Sequence, residues 1–296
     1  MSALKKYFSR RVSKNNLLKC DEYWEGGELP LCHKDFPIIV SWSPKSGCTT
    51  LLKWFLAQNN LLEEANHYSD WVHDYRETKF CFGRRYKELC MRYFTETPTT
   101  KHIIKVIRDP FKRAVSSYLH LLRYGILTKN WLVVTEVERW KELNGFSRQR
   151  GLSFRQFLLF VIDQQLRGRM LDPHLGQQYD KTQDPRVNQF VKIENISVEL
   201  ERIEKEFSLP CLNKNKISNS IHHNKPFISH RWPTDASIHI ASDDYDTTLG
   251  TPPAEIFYNN DTLVLIRMAY WRDCEAYAEN YPHVGKSNYK FETPPI

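Results

Sequence analysis

An α/β fold, with a mainly parallel sheet flanked by helices on both faces, is predicted by three features of the sequence. Short apolar runs rich in β-branched residues alternate with stretches of helical periodicity, and alternating strand–helix units close into parallel sheets. The strand-like runs are apolar almost throughout, as strands covered on both faces are. Capping and turn residues punctuate the change from one kind of segment to the next.

The first unit opens with Phe36-Pro37-Ile38-Ile39-Val40-Ser41-Trp42, a strand. After a turn it continues into a helix over Thr49–Leu61, where Leu51, Leu52, Phe55, Leu56 and Asn59 fall at helical spacing. In the second unit His102–Ile107 is the strand. Asp109 stands where an N-cap belongs, and Pro110 takes the first helical position, where its missing N–H costs nothing. Phe111, Ala114, Val115, Tyr118, Leu119 and Leu122 then share one apolar face, and Gly125 is a C-terminal stop. A helix over Ser153–Leu166 buries Phe154, Phe157, Leu158, Val161 and Ile162. A third strand over Phe190–Ile193 leads into a helix over Ser197–Phe207. The final helix starts near Asp261 and aligns Leu263, Ile266, Tyr270, Cys274 and Tyr277. Residues 1–35 are expected to form an N-terminal arm and 36–296 a single domain. Within that domain 213–253, rich in Asn, Ser, His and Pro, is expected to be a surface loop or lid.

Composition narrows the class. Of 296 residues 41% are hydrophobic and 26% charged, a globular mix that excludes a disordered tail, a collagen and a disulfide miniprotein. The balance of 42 Lys+Arg against 35 Asp+Glu gives +7, which favours anionic partners. Nucleotides, sulfated or carboxylated sugars, nucleic acid and acidic lipid heads all fit that excess. The seven Cys form no CxxC pair, which points to reduced thiols, a cytoplasmic setting and no structural zinc. No apolar run of about 18 residues occurs, so no transmembrane helix is expected. The basic stretch Met1–Lys14 lacks the apolar core of a secretory signal. It is expected to be a frayed arm, with a peripheral membrane contact as the alternative.

Between the first strand and helix lies Ser43-Pro44-Lys45-Ser46-Gly47-Cys48-Thr49-Thr50. A turn that opens a helix presents unpaired backbone N–H groups, aided by the positive end of the helix dipole. Gly47 allows close approach of an anion to the backbone, Lys45 adds a mobile charge, and Thr49 and Thr50 add hydroxyl donors. The turn is P-loop-like but departs from the nucleoside-triphosphatase pattern, in which the Lys follows the last Gly. Arg108, at the carboxyl end of the second strand, is placed where open α/β sheets bind ligands, and its guanidinium can fork onto a phosphate. Ser116, two helical turns on, can donate to the same group. A strand-end Arg in a salt bridge and a surface Ser are the plainer alternatives.

Together the two segments resemble the nucleotide-binding signatures of sulfotransferases that use 3′-phosphoadenosine-5′-phosphosulfate (PAPS). Pro44–Thr50 is similar to the loop around the 5′-phosphosulfate, and Arg108-Asp109-Pro110-Phe111 through Tyr118 to the segment that binds the 3′-phosphate. The Cys after Gly47 and the Arg-Asp-Pro-Phe start resemble the carbohydrate branch, the family-2, HNK-1-like group. Asp172–Gln178 resembles that branch's His-x-x-Pro-Gln segment without its Pro, Phe190–Ile196 its Lys-x-Glu-Asn strand, and Tyr258–Tyr281 its C-terminal helix. Animal members of that branch carry a membrane anchor; none is expected here, and the chain reads as a soluble bacterial relative.

The resemblance implies a sulfotransferase fold and in-line transfer of a sulfuryl group from PAPS, as co-substrate, to a hydroxyl of a glycan or glycolipid, with no metal. It implies that Lys45, Ser46, Gly47, Cys48, Thr49 and Thr50 hold the 5′ end of the donor and Arg108 and Ser116 the 3′-phosphate. Lys45 and Arg108 must then meet across one cleft. The acceptor needs a general base, for which His is suited. His73 is the first candidate, His174 the second and His67 the third. Lys192 and Glu194 can equally be an ion pair. Two other readings share parts of the pattern: an ATP-dependent P-loop phosphotransferase, which needs Mg²⁺, and a basic non-enzymatic protein that binds nucleic acid.

Overall fold

The computed structural model describes residues 29–81, 86, 88–90, 101–122, 132–146, 152–169, 171–179, 187–213, 217 and 251–280. The expected stop at Gly125, the basic stretch Met1–Lys14 and nearly all of the expected lid at 213–253 lie outside them.

Three strands form the described sheet: β1 (Ile38–Ser41), β2 (His102–Ile107) and β3 (Gln189–Lys192), in the order β1-β2-β3. Both pairings are parallel, with Val40 beside Ile104 and Ile104 beside Gln189. A parallel sheet puts all strand C-termini on one edge. That edge here carries residues 42–47, 108–109 and 193–194.

The strands are apolar because both faces are covered. Ile38, Val40, Ile104, Val106 and Val191 pack on one side with Trp54 and Phe55 of α1 (Cys48–Gln58). Ile39 and Ile103 point the other way, into a small cluster with Cys32, Cys81, Tyr86 and Cys90. Lys192 also faces this second side, its ammonium 4.6 Å from the ring of Tyr277. The core begins before Phe36. Leu31, placed in the arm by sequence, is fully buried and pairs with Val40 in an antiparallel bridge.

Helices α2 (Leu62–Tyr68) and α3 (Val72–Tyr75) follow α1, and a π-helical turn over Arg76–Phe80 continues α3. Then come α4 (Pro110–His120), α5 (Leu132–Leu143), α6 (Phe154–Leu166) and, after β3, α7 (Ile196–Glu206). Helices α8 (Asn260–Ala269) and α9 (Trp271–Asn280) are last. Tyr118, Phe154, Phe157, Phe257, Ile266 and Tyr270 make a second, aromatic core among α4, α6 and α8.

The expected cap at Asp109 is present, and Ser153, expected inside its helix, is a second cap. Asp109 accepts from the N–H groups of Phe111 (2.8 Å) and Lys112 (3.2 Å), and Ser153 forms a capping box with Gln156. Most boundaries fall within one or two residues of expectation, and two departures are larger. α1 stops at Gln58 rather than Leu61, because Asn60 enters the left-handed region (φ 57) and Leu61 N–H returns to Leu56 O at 2.8 Å. The single final helix is two. Tyr270 leaves helical geometry (φ −127, ψ 38), and its fully buried hydroxyl donates to Leu175 O at 2.9 Å.

Gly47 joins β1 to α1 with φ +79, and an added Cβ would lie 2.0 Å from Ile193 Cδ1. The missing side chain therefore makes room for the residue after β3, a packing role that the sequence did not suggest. Gly47→Ala is expected to cost about 2–4 kcal/mol, from left-handed strain plus overpacking. In an Ile193→Ala background the same change should cost less, since the clash is gone while the strain remains. Urea unfolding of the four proteins of this cycle measures both figures.

Candidate functional site

The turn after β1 is shaped by two left-handed residues, Lys45 (φ 68) and Gly47 (φ 79), with Ser46 N–H closing onto Ser43 O at 3.2 Å. Gly47 has no side chain to cap α1, and the first turn of that helix carries no acidic residue. The N–H groups of Cys48, Thr49 and Thr50, at the first three helical positions, are thus left without a side-chain cap, beside the positive end of the dipole. The second turn is built differently. The start of α4 is filled by the Asp109 carboxylate, and Asp109 N–H itself donates to Glu194 Oε1 at 2.9 Å.

The two turns meet. Arg108 Nη1 donates to Lys45 O at 3.0 Å. Burial weighs against the Arg108 charge and the nearby Glu194 favours it. One step along α4, Arg113 is fully buried and donates to three backbone carbonyls: Pro44 (3.2 Å), Gly176 (2.7 Å) and Pro173 (3.2 Å). Arg113, Ser116 and His120 follow at i, i+3 and i+7, one face of the helix. Ser116 is half-buried on it. His120 Nδ1 lies 3.4 Å from Lys45 Nζ; an ammonium can only donate, so this nitrogen accepts.

Not every expected residue faces the cleft. Ser46, expected among the donor's ligands, is turned inward, its hydroxyl donating to Gln178 Oε1 at 2.9 Å, and is fully buried. The Cys48 side chain packs toward the α1 core, which leaves its backbone N–H as its contribution. Thr49 Oγ1 is 3.2 Å from His73 Nε2. His67 sits exposed on α2, its Nδ1 donating to Glu63 O of its own helix at 2.7 Å.

His73 lies between the rings of Trp42 (6.1 Å) and Trp71 (4.9 Å). Burial, with smaller contributions from Arg76 and His174, pushes its pKa down to about 3. It is a neutral ring that orients Thr49. His174 is a third exposed, and its Nδ1 is 2.8 Å from Asp172 Oδ1. An ionised carboxylate can only accept, so Nδ1 carries the proton and Nε2 is left to receive one. The ring stacks on His120 at 4.4 Å and 11°. His174, His120 and Lys45 therefore form a continuous series along the cleft, with His73 and Thr49 beside it.

Sequence reasoning missed His120, Arg113 and Asp273. His120 was within reach of it, one turn beyond Ser116 on the same helical face. Asp273, fully buried in α9, accepts from Gln178 N–H (2.9 Å) and Tyr179 N–H (3.1 Å) and lies 3.7 Å from Arg113 Nη1. Burial pushes its pKa up to about 6 against the pull of Arg113. Among the described residues no group of three His, Cys, Asp or Glu side chains is placed to hold a metal ion, and no helix is long and apolar enough to cross a membrane.

The model of the sulfotransferase family matches residues 32–231, more than half of the chain. No curated protein and no solved structure matches.

The two shifted groups predict opposite effects on stability. Between about pH 6.5 and 3 the unfolded chain protonates His73 and the folded one does not. This contribution to stability is present above pH 6.5 and is lost on acidification. Asp273 runs the other way: the folded chain keeps its proton up to about pH 6 and the unfolded one loses it above 3.8, so stability falls as pH rises. Each amounts to about 1.4 kcal/mol per pH unit near pH 5. Relative to the parent, His73→Gln should tilt the stability–pH line downward and Asp273→Asn upward between pH 4.5 and 5.5, as followed by chemical denaturation; equal tilts would contradict this.

Proposed function

The chain belongs to the sulfotransferase family, and we propose that it moves a sulfuryl group from PAPS to a hydroxyl, on a glycan or glycolipid. The observation that carries this reading is the Arg108–Lys45 contact, which joins two turns of complementary donor chemistry in one cleft. The donor supplies the sulfuryl group and leaves as adenosine 3′,5′-bisphosphate.

The open N-terminus of α1, with Thr49 and Thr50, suits the 5′ end of that nucleotide. Arg108 and Ser116 suit the 3′-phosphate, because the start of α4 is already occupied by Asp109 and a side-chain cation must do the work. Lys45 neutralises charge that develops on the bridging oxygen as its bond to sulfur breaks. His120 holds the Lys45 ammonium ready in the cleft.

His174 is the base this geometry favours over His73. Asp172 fixes its tautomer, so Nε2 is the nitrogen turned to take the acceptor's proton, the same orienting logic as in a hydrolase triad. His73 holds a proton too weakly to serve near neutral pH. The Trp71 ring, 43% exposed beside His73, offers an apolar face of the kind sugar rings pack against and supports a carbohydrate acceptor. We place the enzyme in the cytoplasm on the character of its cysteines, six of which are free thiols among the described residues.

Transfer of labelled sulfate from PAPS to a panel of sugar hydroxyls tests the proposal. Lys45→Ala, Arg108→Ala and His174→Ala should each lower turnover by about 100-fold or more, with thermal melting still cooperative. Adenosine 3′,5′-bisphosphate at ~100 times its dissociation constant should stabilise the chain by ~2.7 kcal/mol. Near-normal turnover in all three variants, or transfer from ATP with Mg²⁺ and none from PAPS, rejects the assignment.

A further inference from the structure

We infer that Gln178 is a positioning residue: its buried side-chain amide sets the spacing between the two anion-binding turns, and Asp273 of α9 holds its backbone N–H. This rests on the reading of the cleft as a site for a doubly phosphorylated adenosine.

The sheet does not fix that spacing by itself. β1 ends at Ser41 and β2 at Ile107, so the turns lie beyond the last strand residues. Gln178 bridges the gap. Its Oε1 accepts from Ser46 Oγ at 2.9 Å in the first turn and from Arg108 N–H at 2.8 Å in the second. Its Nε2 donates to Arg108 O at 2.7 Å, and its backbone O accepts from Ser43 Oγ at 2.7 Å. The residue is 3% exposed. A primary amide is the neutral side chain that offers a two-lone-pair acceptor and donors in one plane. A carboxylate there could accept from both turns but could not donate to Arg108 O. An apolar chain would strand three buried polar groups, each costly to leave unpaired.

The backbone of Gln178 is in turn held from a distant element. Gln178 N–H points at both carboxylate oxygens of Asp273, at 2.9 and 3.0 Å. Asp273 also lies near Arg113, which grips Pro44 in the first turn and Gly176 just before Gln178. Asp273 falls beyond the residues matched by the family model, so α9 is a working part of this site although the match stops at 231.

These bonds are spent within the protein, so Gln178 acts on how well the turns cooperate. A ligand that uses one turn should feel its loss weakly. A ligand that must reach both should feel it strongly, because the second contact gains from the first only while the spacing is held.

Isothermal titration of the full chain with adenosine 3′,5′-bisphosphate and with 5′-AMP separates the possibilities. In Gln178→Met, which keeps side-chain length and apolar packing, bisphosphate affinity should fall about tenfold or more and AMP affinity no more than about threefold. Gln178→Glu should lose an intermediate part of the bisphosphate preference, and Asp273→Asn should lower it in the same direction. The inference is overturned if the bisphosphate-to-AMP affinity ratio stays at the parent value in the variants that fold, which a merely structural residue would give. If Gln178→Met does not fold, the Glu and Asn variants decide by the same ratio. A parent protein that binds the bisphosphate no better than AMP rejects the nucleotide reading, an outcome distinct from failure of the clamp.

Discussion

The backbone of the turn after β1 is held in a shape it would not choose, and the site depends on it. Lys45 and Gly47 are both left-handed, two positions apart. Gly47 adopts such a conformation at little cost, whereas a lysine there costs on the order of 1–2 kcal/mol. The turn persists because its neighbours overdetermine it. Arg108 holds Lys45 O, Arg113 holds Pro44 O, and Gln178 takes the hydroxyls of Ser43 and Ser46. Strain of this kind is retained where the surroundings fix one geometry. Here the geometry brings Lys45 Nζ to His120 and leaves the start of α1 without a side-chain cap.

The supports are themselves buried charges. Arg113 and Asp273 are both removed from water, and a buried ion pair is by itself weak evidence of stability, since desolvation opposes the attraction. At 3.7 Å the pair is loose. What each charge gains is hydrogen bonding to backbone: three carbonyls for Arg113, two N–H groups for Asp273. The pair is better understood as a spatial reference, a rigid point from which the 43–47 turn, the 172–179 segment and α9 are all located. The upward displacement of the Asp273 pKa to about 6 is the cost of that placement.

Much of the scaffold was legible because it is written locally. Strand runs and the Asp109–Pro110 start of α4 are signals within a few residues, and each appears as expected. The meeting of Lys45 with Arg108 was also legible, because parallel strands must end on a common edge. The rest was not, since its causes are distant in sequence. Gln178 reaches Asp273 across 95 positions and Ser46 across 132. Ser46 reads as a loop hydroxyl free to bind an anion; only the arrival of Gln178 turns it inward. The break at Tyr270 has the same origin, for its hydroxyl answers to Leu175 rather than to its own helix. Gly47 has a cause of the same distant kind: the space beside it belongs to Ile193, 146 positions on.

The two turns also divide the electrostatic work in a way their sequences already express. α1 begins with Gly47 and has neither a side-chain cap nor an acid in its first turn, so the dipole there is not neutralised from within the helix. α4 begins with Asp109, which consumes the same resources internally. An anion at the second turn must therefore be met by side chains, which is why a fixed, always-charged guanidinium stands at Arg108. The first turn has a mobile ammonium instead, at a position where charge must be met as it moves. In the proposed reaction the helix end grips what stays and the lysine follows what changes. With Asp172 orienting His174 on the far side of the stacked His120, the proposed reaction has its anion sites at one end, its proton acceptor at the other and the Lys45 cation between them. That ordering is what a group transfer between two oxygens requires.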